Sequence, residues 1–295
     1  MVLRPSPLGA WMLAARPATL PAAVVPVLVG SATAFAAGSF RPLPFIAALA
    51  AAVLIQIGTN FANDYFDFHK GADTAARIGP VRVTQSGLIA VETVRLGMIV
   101  TFGLAALSGL YLVAVGGWPI LLIGLLSITA GVLYTGGPWP LGYHGLGDLF
   151  VFSFFGLIAV AGTTYLHSGS VPIAALINAL PVAMLVTAIL VVNNLRDIDT
   201  DRVAGKHTLA VLIGRRATRA EYVLLVGGAY LLLPLSWLLG TAAIGAWLPW
   251  LTLPLAVPLV RTLLREDGPA LNGVLKRTGQ LHLLFGVLFA IGLLL

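Results

Sequence analysis

Cysteine is absent from the 295-residue chain, and charge is scarce: 11 acidic and 17 basic side chains make up only 9% of it. The first absence removes disulfides, thiolate metal sites, iron–sulfur ligation and cysteine nucleophiles from consideration. The second excludes a soluble enzyme, because so few charges do not clothe a globule of this length. The five histidines, His69, His144, His167, His207 and His282, show no paired metal-ligand spacing. No Walker-type glycine-rich loop is there to cradle a nucleotide, and nothing in the pattern points to a nucleic acid partner. Apolar residues are abundant at 59% of the chain, so lipid is the solvent for most of it.

A hydrocarbon core of about 30 Å takes about 20 helical residues. Nine apolar runs of that order occur, at roughly 19–37, 44–66, 92–114, 118–136, 147–166, 172–195, 219–239, 245–263 and 277–295. A barrel would show alternation instead, so the expected fold is an all-α bundle of nine transmembrane helices forming one domain over residues 1–295. Pro21, Pro26, Pro181, Pro234, Pro254 and Pro258 fall inside runs and predict kinks. The run after Arg4 and Arg16 begins like a signal peptide, but it is long enough to cross and eight more follow, so it is read as the first span.

With nine spans, every Lys and Arg except Arg41 falls on one side. The positive-inside rule makes that side cytoplasmic, with the amino terminus inside and the carboxyl terminus outside. The protein is therefore expected to be multi-pass in the cell membrane. All 11 acids lie on the same side, where topology gives them no reason to be.

Six of those 11 acids fall in two clusters: Asp64, Asp67 and Asp73 after the second span, and Asp197, Asp199 and Asp201 after the sixth. At 100° per residue, Gln56, Asn60, Asn63, Asp64 and Asp67 form one polar stripe on a helix. Asn193, Asp197 and Asp201 form another at i, i+4 and i+8, from which Asp199 points away. Lys70, Arg77 and Arg82 follow the first cluster; Arg202, Lys206, Arg215 and Arg216 follow the second. Carboxylates crowded at a membrane boundary call for bound cations. Oxygen and amide donors favour magnesium or calcium over zinc, and Mg²⁺ characteristically bridges carboxylates to substrate phosphates. The pattern reads as a magnesium diphosphate site at the cytoplasmic mouth of the bundle. Asp148, Glu92 and Glu221 stand at helix starts, where acids complement the dipole, although Asp148 also lies open to a site role.

The segment Asn63-Asp64-Tyr65-Phe66-Asp67 through Asp73, with Asn193-Asn194-Leu195-Arg196-Asp197-Ile198-Asp199-Thr200-Asp201 four spans later, resembles the two aspartate-rich motifs of the UbiA-type intramembrane prenyltransferases. In the usual first motif an Asn is followed by Asp at plus four and plus eight. Asn63 and Asp67 fit, whereas Gly71 takes the third place and Asp73 comes two residues late. That longer spacing is similar to the branch that prenylates 1,4-dihydroxy-2-naphthoate in menaquinone synthesis. So are Ala15-Arg16-Pro17 to Leu20-Pro21-Ala22, Arg77-Ile78-Gly79-Pro80 with Gln85-Ser86-Gly87-Leu88, Tyr134-Thr135-Gly136-Gly137-Pro138, and Gly205-Lys206 to Leu209.

The resemblance implies Mg²⁺-dependent transfer of a polyprenyl group from its diphosphate to dihydroxynaphthoate, with loss of diphosphate and CO₂, giving demethylmenaquinone. It implies that Asp64, Asp67, Asp197 and Asp201 hold metal and carry the catalysis. Asn60, Asn63, Asn193, Asp73, Arg16, Lys70, Arg77, Arg82 and Lys206 then form the substrate-binding set. The allylic cation needs a dry chamber, to which Phe61, Tyr65, Phe66 or Tyr134 offer ring faces. Other aromatic acceptors (4-hydroxybenzoate, homogentisate, a chlorophyllide) remain open on these residues. A secondary transporter is the reading from a different class, against which stands the gathering of every acid at one edge.

Overall fold

The computed structural model describes residues 5–71, 78, 79 and 81–295, and these are all-helical with connecting turns. Helix starts follow local chemistry. Proline opens α1 (Pro7–Ala15), α2 (Pro21–Ala36) and α3 (Pro42–His69), where a missing N–H costs nothing. The Ser6 hydroxyl also accepts from the Gly9 N–H (3.2 Å) to cap α1. Next come α4 (Val91–Gly116) and α5 (Trp118–Leu133), turned sharply at Gly117, whose φ of 71° suits glycine. Then follow α6 (Gly147–Ser168), α7 (Ile173–Val203), α8 (Leu209–Leu238), α9 (Leu253–Arg265) and α10 (Leu271–Leu294).

Among the described residues, seven helices are long and apolar enough to cross a membrane, α9 counting together with the helical turns before it (Ile244–Arg265), and an eighth crossing results if α1 and α2, bent by 49°, count as one broken span. α5 has 16 residues, about 24 Å of helix, shorter than the roughly 30 Å core. Two boundaries differ from the sequence expectation. α7 continues to Val203, so the second acidic cluster is on the helix and not after it. α8 starts at Leu209 because the Thr208 hydroxyl caps Val211 (3.4 Å), and Arg215, Arg216 and Arg219 ride on it beyond a break at Gly214 (φ 78°).

α7 is the axis of the bundle: 67% of its most apolar window is buried, against 28% for α4. The main core gathers Val25 and Val29 of α2, Leu185 and Leu195 of α7, Leu233 of α8 and Phe285 and Phe289 of α10. Outward leucines such as Leu107 and Leu110, 63% and 66% exposed, are what a lipid-facing surface needs. Small residues set the helix spacing. A Cβ at Gly292 would lie 2.0 Å from the Gly245 carbonyl oxygen, and one at Gly156 would lie 2.1 Å from the Ala183 Cβ. The Gly156 contact belongs to a π-helical stretch of α6, Phe152–Ile158, of the kind that often marks functional sites.

Gly292→Val should therefore force α10 off the segment carrying Gly245 and lower stability in detergent by about 1–3 kcal/mol or more. Gly103→Val, where nothing lies within 4 Å, should do so much less; equal thermal unfolding of the two variants would contradict this packing.

Candidate active site

The ends of α3 and α7 open onto one space. One cavity of about 660 Å³ is lined by Asn60, Asn63 and Asp67 from α3 and by Asn193, Asp197 and Asp201 from α7. Arg16, Arg82 and Lys206 line it as well. The two stripes separated by more than a hundred residues of chain thus share one space.

Asp67 and Asp197 in it are already compensated. Asp67, 1% exposed, accepts from Arg82 (3.0 Å), the Tyr143 hydroxyl (2.8 Å) and Lys206 (3.2 Å). Asp64 is turned toward the protein side. Its carboxylate binds Arg16, Arg82 (2.6 Å) and the Val83 N–H (3.3 Å), and the Thr84 hydroxyl donates to its backbone carbonyl (3.1 Å). Arg16 reaches it from a left-handed backbone, φ 51°, the only such non-glycine among the described residues. Arg196, whose side chain is 0% exposed, grips Asp197 through Nε (2.8 Å) and Nη2 (2.5 Å). The same guanidinium donates to Asn193 Oδ1 (2.9 Å) and Asn272 Oδ1 (3.0 Å), and Asn272 donates to the Ile78 carbonyl (3.2 Å).

The amides are also engaged. Asn60 donates to the Ala15 carbonyl and the Thr19 hydroxyl, both at 2.9 Å, tying α1 to α3. Asn63 Oδ1 accepts from Thr135 (2.9 Å). Lys70 lies outside the cavity lining, donating to the Gly137 carbonyl (3.0 Å); with Lys206 it flanks the Tyr143 ring, at 5.1 and 4.7 Å from the centroid. Desolvation lowers the Lys70 pKa from its ordinary value, Lys206 adds to the effect and Asp67 opposes it.

Asp199 is apart from all this, its side chain 70% exposed and paired with Arg215 (2.5 Å). Asp148 is 7% exposed at the start of α6, and neither carboxylate oxygen has a hydrogen-bond partner among the described residues. Asp73 and Arg77 lie outside the described residues.

An apolar chamber of about 250 Å³ adjoins the polar cavity, sharing Gln56, Asn60, Asn63, Tyr134, Val151 and Phe155 with it. Its aromatic wall differs from the sequence expectation. Tyr134 is there, but the other rings are Phe150, Phe154 and Phe155 of α6. Phe61 packs edge-on against Trp11 (5.4 Å) in a core between α1 and α3, and Tyr65 packs on Phe66 (5.1 Å) and His69 (4.5 Å). The α3 stripe faces the cavity, so residues flanking it turn elsewhere. Sequence reasoning also passed over Arg196, Tyr143, Asn272 and Lys276. A charged residue inside the Asn193–Asp197 turn was the one available signal, for Arg196.

A divalent cation fits the donor chemistry, since carboxylate and amide oxygens converge with cations suited to an anion beside them. Among the described residues no three carboxylate or imidazole groups converge as a ready-made metal cage.

Residues 23–272 match the UbiA prenyltransferase family. The chain is 41% identical, over 97% of its length and 95% of the relative's, to the 1,4-dihydroxy-2-naphthoate octaprenyltransferase of Escherichia coli (strain K12). Among solved structures it is similar to a UbiA homologue from Aeropyrum pernix K1 (TM-score 0.70, 16% identity, 92% of this chain and 96% of that one). It is also similar to one from Archaeoglobus fulgidus bound to DMAPP and Mg²⁺ (TM-score 0.68, 16% identity, 96% and 98%). At that identity the structural likeness establishes the shared fold.

Arg82→Ala leaves two buried carboxylates short of a partner and should cost about 3–5 kcal/mol, read as thermal unfolding in detergent. Asp199→Ala breaks an exposed pair and should cost under about 1 kcal/mol; equal losses would contradict the assigned burial.

Proposed function

The chain belongs to the UbiA prenyltransferase family, and from that membership we propose that it moves a polyprenyl group from polyprenyl diphosphate to 1,4-dihydroxy-2-naphthoate, giving diphosphate, CO₂ and demethylmenaquinone in its reduced, quinol form. The observation that carries the chemistry is the single cavity in which both aspartate-bearing helix ends meet a cluster of cations beside an aromatic, apolar chamber. The relative's acceptor, over 97% of this chain, supports the choice of naphthoate over other phenols.

When bound, Mg²⁺ supplies neutralisation of the departing diphosphate and Lewis-acid polarisation of its oxygens. Asn63, Asp67, Asn193, Asp197 and Asp201 would hold it, with diphosphate oxygens as the further donors it would take. Arg16, Arg82 and Lys206 take the remaining phosphate charge, and Asp64 serves as the anchor that holds Arg16 and Arg82 in place. Arg196 fixes Asp197 and Asn193 in one orientation. As the allylic C–O bond breaks, the faces of Tyr134 and Phe155 stabilise the carbocation and exclude water. The ring carbon bearing the carboxylate forms the new C–C bond. Loss of CO₂ then returns its electron pair to the ring, so no strong protein base is required.

The whole chain acts as one membrane domain in this reading. The α1–α2 pair and the short α5 join the seven longer helices as crossings, making nine, with the site at the cytoplasmic face and the carboxyl terminus outside.

Asp67→Ala and Asp197→Ala should each reduce transfer of labelled prenyl diphosphate to dihydroxynaphthoate at least about 100-fold in folded protein, with Asp199→Ala retaining most of it. Wild-type protein that prenylates 4-hydroxybenzoate in preference would overturn the acceptor. A reporter fused after Leu295 that proves cytoplasmic would overturn the topology.

A further inference from the structure

The apolar chamber contains two polar atoms with nothing to bind. Gln56 is 7% exposed, and its Oε1 is buried without a hydrogen-bond partner among the described residues; the same holds for Thr59 Oγ1. Both residues line the chamber, and at i and i+3 they share a face of α3.

The orientation of Gln56 is forced by its neighbours. Its Nε2 donates to Thr19 Oγ1 (3.1 Å), which also accepts from Asn60 Nδ2 (2.9 Å) and donates its own proton to the Arg16 carbonyl (2.9 Å). A hydroxyl has one proton and two lone pairs, so Thr19 is saturated. Rotating the Gln56 amide would set Oε1 against an oxygen with no proton left to give, and the acceptor must therefore face the chamber. A buried carbonyl left unpaired is destabilising, a cost that a ligand able to donate to it removes.

We propose, resting on the prenyltransferase reading above, that Gln56 and Thr59 form the recognition subsite for the aromatic acceptor, with a ring hydroxyl donating to Gln56 Oε1 and Thr59 Oγ1 bonding the ring's polar edge. A chamber of about 250 Å³ walled by Phe150, Phe154 and Phe155 matches a one- or two-ring aromatic in size and lining. Its shared boundary with the polar cavity, at Tyr134 and Phe155, lies where an allylic carbon leaving diphosphate meets the ring. Donation to Gln56 also raises electron density on the ring without moving a proton, which favours attack on the cation.

Hydrophobic pockets alone discriminate poorly, whereas buried polar groups reject an analogue that leaves them unpaired. The test is steady-state kinetics with 1,4-dihydroxy-2-naphthoate and its analogue lacking the 1-hydroxyl, on wild type, Gln56→Met and Thr59→Val. Thr59→Val breaks no bond in the structure and should fold with unchanged or raised thermal stability. Both variants should raise the acceptor KM about tenfold or more, leave the prenyl diphosphate KM unchanged, and narrow the preference for the hydroxylated acceptor. Unchanged acceptor KM and preference in Thr59→Val and Gln56→Met would overturn the subsite and leave water as the partner of these atoms. A rise confined to the prenyl diphosphate KM would overturn it in favour of the donor's first isoprene unit. Wild type inactive on dihydroxynaphthoate would instead remove the function on which the subsite rests.

Discussion

The structure depends on compensating negative charge where two helices end at a membrane boundary. Carboxylates there are neither solvated as in water nor tolerated bare in lipid. The protein meets this by giving Asp64, Asp67 and Asp197 each a guanidinium or ammonium group. Arg82 bridges Asp64 and Asp67, Arg196 is forked onto Asp197, and Lys206 reaches Asp67 from the far side of the sequence. These pairings dictate other features. Arg16 adopts a left-handed backbone to reach Asp64, and the α1 end is held down by Asn60 so that it stays there. Asn272 extends the Arg196 network across to Ile78.

Such a site has to be open to ligands yet rigid, and the helix irregularities reconcile the two demands. The π-helical stretch of α6 lets Phe150, Val151, Phe154 and Phe155 all face cavities, which a regular helix of 3.6 residues per turn serves less well. Gly156 in that stretch packs directly on Ala183 of α7, so the aromatic wall is braced against the most buried helix in the bundle. The π-helical stretch and the close contact fall on the same part of α6.

Much of this was legible in the residues, for physical reasons. Apolar runs and segregated charge report the solvent, so the all-helical membrane class and the positions of the long helices could be read. The 3.6-residue period placed Asn193, Asp197 and Asp201 together and Asp199 apart, which is where the structure has them. What escaped depends on information the sequence spreads over distant segments. The turn of Asp64 away from the cavity follows from Arg16, 48 residues earlier, and Arg82, 18 later. Phe61 and Tyr65 were plausible ring faces by proximity alone, but their side of α3 packs on α1 and the loop after Arg82. A long apolar stretch also does not announce where a π turn falls, so the aromatic wall of α6 was invisible until its helix geometry was known.

The deepest constraint is that ionisation of an allylic diphosphate requires dense charge at one end of a bond and no water at the other, within a few ångströms. A protein that simply lined a cavity with polar groups would admit water to both ends. Here the boundary between the two spaces is drawn by α3, whose two asparagines are polar but partly engaged: Asn60 donates to Ala15 and Thr19, and Asn63 accepts from Thr135. Engaged in this way, both border the charged cavity without offering solvent a full set of bonding positions on the apolar side. The polarity of the stripe and the apolar lining of the chamber are thus compatible, because internal hydrogen bonds take up most of the stripe's capacity and leave Gln56 Oε1 and Thr59 Oγ1 for a ligand to meet.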